Sequence, residues 1–323
     1  MPAEDAFPMC LDGGTATELQ RAGLPMAAPW WTSAALRTEQ WRRVLRSAHA
    51  DYLRAGAEVL TANTFRCNLR ALRATGLDAA GPSWFVQAAV GVAVAARNDV
   101  ASSGALIAGS MAPVEDCYRP ELVPPDEELR VEHRWLATEL VRAGVDLVLI
   151  ETMNTLREAR IALREALAAG GRAWVSFVCA DGGRLLSGES VAAAARAVEA
   201  DGAEVVLVNC TALAETEDCL RLLGERCHGP FGAYPNLEDR GAIPRGAGPA
   251  GVLPAAASPA EFADTLRRWH RELGASVLGG CCGASPAHIA ALNDRLRRSA
   301  TGSDRRTGLD QQRLNHRRAA ARS

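Results

Sequence analysis

The chain has 323 residues, of which 48% are hydrophobic and 23% are charged, and its formal net charge is −2. This near-neutral balance gives no reason to expect nucleic acid or an anionic membrane as a partner. No apolar run approaches the roughly 18 residues that span a bilayer, and the first nine residues lack the basic start of a secretory signal, which predicts a cytoplasmic protein.

Short apolar or β-branched runs alternate along the chain with stretches of helical periodicity, which predicts parallel strands joined by helices. The predicted strands lie near 9–13, 58–65, 105–113, 146–153, 173–179, 204–211, 230–236 and 276–283. The predicted helices lie near 33–55, 84–99, 126–143, 156–169, 190–200, 213–226, 258–273 and 286–298. Eight alternations favour a closed barrel over an open sheet, so we predict an α/β protein with a single (β/α)8 TIM barrel over residues 1–298.

Local patterns mark the ends of these helices. Four glycines stand just before predicted strands, where glycine can adopt the left-handed conformation that ends a helix. They are Gly56, Gly144, Gly202 and Gly274. Two helix starts have the spacing of a capping box. They are Thr155 with Glu158, and Ser258 with Glu261.

Two segments depart from the alternating pattern. Residues 237–257 are rich in glycine and proline and follow the seventh predicted strand. A loop at that position is either a lid over a site or a variable connection. Residues 299–323 contain six arginines against two aspartates and show no periodicity, which predicts a disordered tail.

The chain contains nine cysteines and no lysine, since all 36 of its basic residues are arginine. A core of this size needs no disulfides, so in a reducing compartment a cysteine cluster indicates metal ligands or a nucleophile. Barrel enzymes that work through a lysine Schiff base are excluded, because the required amine is missing.

Three cysteines fall at the carboxyl ends of predicted strands, where the chemistry of such barrels takes place. Cys210 ends the sixth strand, and Cys281 and Cys282 lie at the end of the eighth, between glycines that free the backbone. Three converging thiolates leave one open position on a metal, which is typical of a catalytic zinc site. Three other cysteines are expected to be ordinary core residues, namely Cys179, Cys219 and Cys227.

Further polar or small residues also lie at the ends of predicted strands. They are Asp12, Gly13, Asn63, Thr64, Glu151 and Asn209. Asp12 and Glu151 are candidates for binding a ligand, and Glu151 in particular needs a partner because it lies beside a run of apolar residues. The alternatives are a turn cap at Asp12 and a salt bridge at Glu151. Asn63 and Thr64 either line the pocket or form hydrogen bonds within their loop.

Four short motifs carry a family resemblance. They are Leu11-Asp12-Gly13-Gly14, Glu151-Thr152, Val208-Asn209-Cys210 and Gly279-Gly280-Cys281-Cys282-Gly283. From about residue 10 to 298, in order and spacing, the chain resembles the homocysteine S-methyltransferase family. That family includes S-methylmethionine-dependent and betaine-dependent enzymes and the first module of cobalamin-dependent methionine synthase.

The resemblance implies a role for each matching residue. It implies that Cys210, Cys281 and Cys282 bind Zn2+, and that Asp12 and Glu151 hold the ammonium group of homocysteine. Gly13 would allow close approach of the backbone. Asn209 would orient the site from behind the ligands.

The implied reaction moves a methyl group to the homocysteine thiol, which becomes a thiolate nucleophile on zinc, and gives methionine. The chain lacks cobalamin and folate modules and an obvious dimerisation extension, so the resemblance favours S-methylmethionine or S-adenosylmethionine as donor. Betaine, methylfolate and another thiol or selenol acceptor stay open, since the sequence after Asn236 departs from the family pattern. We expect Trp30 and Trp31 to pack rather than to face a cationic donor.

Two rival functions follow from the same residues. A zinc hydrolase is disfavoured, because hydrolases use histidine and carboxylate ligands, whereas an all-thiolate site suits a soft thiol. A non-catalytic barrel that binds zinc or an amino acid would retain the same ligands but would show no turnover.

Overall fold

A computed structural model describes residues 8–100, 104–238 and 253–297. Eight strands form its central sheet. In chain order they are β1 (Met9–Cys10), β2 (Val59–Ala62), β3 (Leu106–Met111), β4 (Leu147–Met153), β5 (Ala173–Phe177), β6 (Val205–Ala212), β7 (Phe231–Asn236) and β8 (Val277–Leu278).

The sheet closes on itself. Its order is β1-β8-β7-β6-β5-β4-β3-β2, and every pair of neighbours is parallel. The two ends meet at a parallel bridge between Leu11 and Val59, where the N–H of Asp12 donates to the carbonyl of Val59 at 3.0 Å. The predicted (β/α)8 TIM barrel is therefore confirmed.

Helices connect the strands on the outside of the barrel. They are α1 (Thr15–Arg21), α2 (Glu39–Arg54), α3 (Leu69–Arg73), α4 (Gly81–Asp99), α5 (Asp126–Ala143), α6 (Leu156–Ala168), α7 (Val191–Ala200), α8 (Leu213–Arg226), α9 (Pro259–Leu273) and α10 (286–297). The predicted bounds of α5 and α8 are confirmed, and those of α6, α7 and α9 are confirmed to within one residue.

The first predicted helix, 33–55, is wrong as one continuous element. Trp31–Leu36 forms a 3-10 helix, and α2 begins only after Thr38, whose extended backbone lets its hydroxyl accept from the N–H of Trp41 at 3.3 Å. The helices α1 and α3 and a hairpin of Cys179–Ala180 with Arg184–Leu185 were not predicted. Each is too short to carry a recognisable period.

The last predicted strand, 276–283, is also too long. Only Val277–Leu278 pairs as a strand. Beyond it, the N–H groups of Gly279 and Cys281 donate to β7 at 3.1 and 2.9 Å, while that of Gly280 donates to Asp12 at 3.0 Å. This segment therefore closes the barrel by forming hydrogen bonds to both of its neighbours, although it no longer pairs as a regular strand.

The predicted helix ends are largely confirmed. Gly144 and Gly274 cap α5 and α9 in the left-handed conformation, with φ of 84° and 80°. The Ser258–Glu261 capping box is present in full. At α6 the box is only half formed, because the Glu158 carboxylate instead accepts from the N–H of Val114 at 2.8 Å.

The core has two parts. One lies between the strands and the helices, and the other fills the barrel with inward side chains such as Leu149, Leu207 and Trp174. A filled barrel leaves room for ligands only beyond the strand ends. No helix in the three described stretches is long and apolar enough to cross a membrane. Most of the predicted 237–257 loop (239–252) and the predicted tail lie outside the described residues.

Candidate active site

A cavity of about 550 Å³ opens at the carboxyl ends of the strands. Five of its lining residues are acids or cysteines from the ends of β1, β4 and β6 and from the segment after β8. These five form what we call the strand-end group: Asp12, Glu151, Cys210, Cys281 and Cys282. The structure thus brings together residues that lie as far as 270 positions apart, as the sequence predicted for a barrel rim.

The three cysteines form a compact thiol cluster. Their Sγ atoms all lie within 4.8 Å of one another, and those of Cys210 and Cys281 are 2.6 Å apart. Cys210 sits where the pairing of β6 with β7 is irregular, and its φ is 50°, which is rare for a residue other than glycine. Backbone strain of this kind concentrates at functional sites, and here it accompanies the placing of a thiol in the cavity.

The segment that carries the other two thiols needs its glycines. A Cβ atom on Gly280 would lie 2.2 Å from the Cβ of Ala284, so no larger residue fits. Gly283 has a φ of 82°. These two positions let the backbone fold tightly enough for Cys281 and Cys282 both to line the cavity.

The thiol cluster has the chemistry of a soft-metal site. Contacts with Cys210 and Cys282, together with burial, raise the pKa of the Cys281 thiol well above its ordinary value. Clustered thiolates therefore need a cation to offset their repulsion. Three sulfur donors that face a cavity fit a tetrahedral ion such as zinc with one position open to a ligand.

Asp12 is nearly buried, at 4% exposure, and lies beside β2. Its carboxylate accepts from the Thr61 N–H at 2.7 Å and from the Thr61 hydroxyl at 2.9 Å. Burial nevertheless raises the pKa of Asp12 to about 7, because these hydrogen bonds only partly replace water.

Glu151 occupies a similar environment, at 7% exposure. Its carboxylate accepts from the hydroxyls of Ser110 and, at 3.1 Å, of Tyr234. Burial raises the pKa of Glu151 to about 7. Neither this carboxylate nor Asp12 forms an ion pair with any residue in the described part of the chain, so the salt-bridge alternative for Glu151 finds no support there.

Asn209 lies behind the cavity wall and is fully buried. Its side-chain oxygen accepts from the N–H of Thr152 at 2.9 Å and from the hydroxyl of Ser176 at 2.7 Å, and its amide donates to the Thr152 hydroxyl at 2.8 Å. Asn209 thus ties the residue after Glu151 to the residue before Cys210. It is placed to hold the carboxylate and the thiol in register, and it does not line the cavity.

The remaining predicted site residues differ in position. Gly13 and Asn63 line the cavity, and the Asn63 amide donates to the carbonyl of Thr32 at 2.9 Å. A Cβ atom on Gly13 would lie 2.6 Å from the Ala284 carbonyl oxygen, so its close approach is to the protein itself. Thr64 is buried outside the lining, with its hydroxyl bonded to the carbonyl of Ser110 at 2.8 Å.

Several cavity residues were missed by the sequence reasoning. Thr61, Ser110 and Tyr234 support the two carboxylates, but they are ordinary residues of strands. A second set comes from loops that follow β1, β2 and β3, and we call it the loop group: Trp31, Arg66, Asp116 and Tyr118. No motif marked them, since loop residues acquire a common cavity only when the barrel closes.

The two tryptophans illustrate this. Trp30 packs outward against Phe85, with 5.4 Å between the ring centroids, as predicted. Trp31 instead lines the cavity, and its φ is 45°. The expectation that both tryptophans pack is therefore confirmed for Trp30, whereas Trp31 lines the cavity instead, because an unusual backbone turn separates the two side chains.

Fold and site together define a class of protein: a TIM barrel with a thiol-lined, potential metal-binding centre beside two buried carboxylates. Residues 9–296 match the model of the homocysteine S-methyltransferase family. The chain belongs to this family.

Known relatives agree with that assignment. The chain is 31% identical over 302 residues to the homocysteine S-methyltransferase of Escherichia coli K12, with 89% of this chain and 94% of the relative covered. It is 27% identical to a selenocysteine Se-methyltransferase of Brassica oleracea, covering 88% of each. Among solved structures, the metallated form of the Escherichia coli homocysteine methyltransferase MmuM is 29% identical, with a TM-score of 0.76 and coverage of 90% of this chain and 97% of that one.

Proposed function

We propose that this protein is a zinc-dependent enzyme that moves a methyl group from a sulfonium donor to the thiol of homocysteine, giving methionine. One observation carries the proposal: a cluster of three thiols shares a cavity with two buried carboxylates that have no cationic partner among the described residues. Such a cavity offers one place for a soft nucleophile and another for an ammonium group.

The acceptor's ammonium group would bind between Asp12 and Glu151. A cation beside these carboxylates offsets the burial that raises the pKa of each to about 7, so both become ionised when the acceptor binds. Thr61, Ser110 and Tyr234 already donate to the carboxylate oxygens and fix their directions. Homocysteine is held by this pair with its thiol free to extend toward the cysteines.

Cys210, Cys281 and Cys282 would hold the metal, and zinc suits three sulfur ligands with one position left open. When bound, zinc supplies positive charge that lowers the pKa of a thiol near it, as it does for other ligands. The metallated form of MmuM supports a metal in this family without fixing its identity.

The transfer itself needs no nucleophile from the protein. The acceptor sulfur forms a bond to the methyl carbon while the bond between that carbon and the donor sulfur breaks. The electron pair of the broken bond stays on the donor sulfur, which becomes a neutral thioether. The proton of the acceptor thiol goes to solvent. The strand-end group contributes by holding the acceptor sulfur in position for attack on the methyl carbon.

On the basis of the family resemblance, we propose S-methylmethionine or S-adenosylmethionine as the methyl donor, with betaine and methylfolate as the alternatives. A second acceptor is supported by one relative, the selenocysteine Se-methyltransferase. Selenols are soft nucleophiles like thiols, so the same cluster would serve them.

Deuterium-labelled homocysteine tests the proposal. Zinc-loaded, reduced protein is given labelled homocysteine with S-methylmethionine, and mass spectrometry follows labelled methionine, with a chelator-treated sample as control. We expect labelled methionine only in the zinc-loaded sample. Stoichiometric zinc without product from any sulfonium donor, betaine or methylfolate would count against homocysteine as the acceptor and direct the search to other thiols and selenols. No turnover with those acceptors either would identify a non-catalytic binding barrel.

A further inference from the structure

Arg66 is a charged cavity residue that the proposed function leaves without a role. Its half-buried side chain lines the cavity, and its guanidinium carbon lies 5.8 Å from the Trp31 ring centroid and 5.3 Å from that of Phe65. Within the described part of the chain it has no hydrogen-bond or ion-pair partner. A guanidinium presents a fork of N–H donors that matches a carboxylate.

The other arginine of the cavity is already neutralised. Arg70 donates to Glu115 at 2.6 Å and is also paired with Glu128. Arg66 is therefore the cavity cation that lacks an anion among the described residues. A cation left in this state in a site for a sulfonium would repel the substrate unless the substrate also brings an anion.

We propose that Arg66 binds the α-carboxylate of the methyl donor and so selects donors that carry one. The inference rests on the proposed function. In the acceptor, the carboxylate and the ammonium group are attached to the same α-carbon. Because Asp12 and Glu151 would hold the ammonium group, the acceptor's carboxylate stays near the strand ends. Arg66 lies four residues beyond the end of β2, in the loop group, where the second substrate has room.

The loops around Arg66 are fixed in place, as a receptor requires. The Asn68 amide donates to the carbonyl of Val114 at 3.0 Å, and its oxygen accepts from the N–H of Ala71 at 2.7 Å. The Asn154 amide donates to the carbonyls of Asp116 and Cys117 at 3.3 and 3.1 Å. Buried side chains thus pin the loops after β2 and β3 to each other and to the barrel, which lowers the cost of ordering them on binding.

A pair of donors that differ only in the carboxylate tests the inference. S-methylmethionine is compared with (3-aminopropyl)dimethylsulfonium, which keeps the sulfonium and the amine. Steady-state kinetics with homocysteine are measured for the wild type, Arg66→Ala and Arg66→Lys. The control is Arg73→Ala, because Arg73 is an exposed arginine of α3 outside the cavity lining.

We expect Arg66→Ala to raise the KM for S-methylmethionine about 10- to 100-fold, the range for a charge-assisted hydrogen bond. The KM for the carboxylate-free donor should change little. Arg66→Lys should recover part of the loss, and Arg73→Ala should match the wild type. Equal losses with both donors, or no loss with either, would overturn the inference.

Two further measurements separate the possible failures. If Arg66→Ala instead abolishes the preference for homocysteine over 3-aminopropanethiol, Arg66 binds the acceptor and the donor assignment is wrong. Calorimetric binding of S-methylmethionine to wild-type and Arg66→Ala protein needs no turnover. Absent transfer in the wild type would therefore count against the proposed function, while unchanged donor binding in the variant would count against the role of Arg66.

Discussion

The strand-end group and the loop group line one cavity but are built differently. Strand-end residues such as Asp12 and Glu151 are nearly buried and bonded to neighbouring strands. Loop residues such as Arg66 and Tyr118 are half-buried, and they lie on loops that are held by hydrogen bonds from buried side chains. This difference accords with the two proposals above, in which the barrel holds the acceptor and the metal and the loops select the methyl donor.

The largest expected effect comes from breaking the thiol cluster. Cys282→Ser should lower zinc content and abolish methyl transfer, because two remaining thiols hold the ion poorly. Metal analysis and the labelled-homocysteine assay measure the two quantities. Cys227→Ser is the matched control, since Cys227 is half-buried outside the cavity lining and should keep both. Full activity in metal-free Cys282→Ser protein would contradict the mechanism.

A smaller effect is expected when only the ammonium site is changed. Glu151→Gln keeps the shape of the side chain but removes the charge, so the KM for homocysteine should rise roughly 10- to 100-fold with zinc content unchanged. Acceptor titrations and metal analysis on the same sample test this. Glu225→Gln, at an exposed position of α8, is the control. Loss of zinc in parallel with acceptor binding would show that the two parts of the strand-end group are not separable.

The same carboxylates predict how binding depends on pH. Burial raises the pKa of both Asp12 and Glu151 to about 7, so below that pH they are largely protonated and bind an ammonium group weakly. Binding of methionine, which has no thiol to titrate, should therefore tighten as pH rises through 7, by up to about tenfold per unit for each group. Calorimetry between pH 6 and 8.5 measures it. The slope should be shallower in Glu151→Gln, and a flat wild-type profile would contradict the assignment.

The mildest change removes the support behind the strand-end group. Asn209→Ala leaves the buried N–H of Thr152 without its partner, which should lower the free energy of unfolding by about 1–3 kcal/mol. Because Asn209 does not line the cavity and so would contact neither the acceptor nor the metal, kcat/KM should fall only about 2- to 10-fold, as for one neutral hydrogen bond. Denaturant unfolding and kinetics are compared with Asn98→Ala, at an exposed position of α4. An unchanged stability would show that Asn209 does not brace the site.

The sequence by itself determined the barrel, most of its helices and the three cysteines. Alternating periods reflect which side chains must be buried, and a parallel barrel always brings its strand ends to one rim. Reactive residues at those ends could therefore be placed at one rim from the predicted strands, while the role of each came from the family resemblance. Asp12 and Glu151 were found at strand ends in the same way, and Glu151 stood out because a carboxylate next to an apolar strand is costly without a partner.

Tertiary structure alone decided the rest. Thr64 lies outside the cavity and Asn63 inside it, although they are neighbours, because each hydrogen bond goes to a segment distant in the chain. Trp31 reaches the cavity through an unusual backbone turn, and among the described residues Arg66 has no ionic partner while Arg70 has two. Such outcomes depend on which loops come into contact once the barrel closes, and local periodicity carries no information about those contacts.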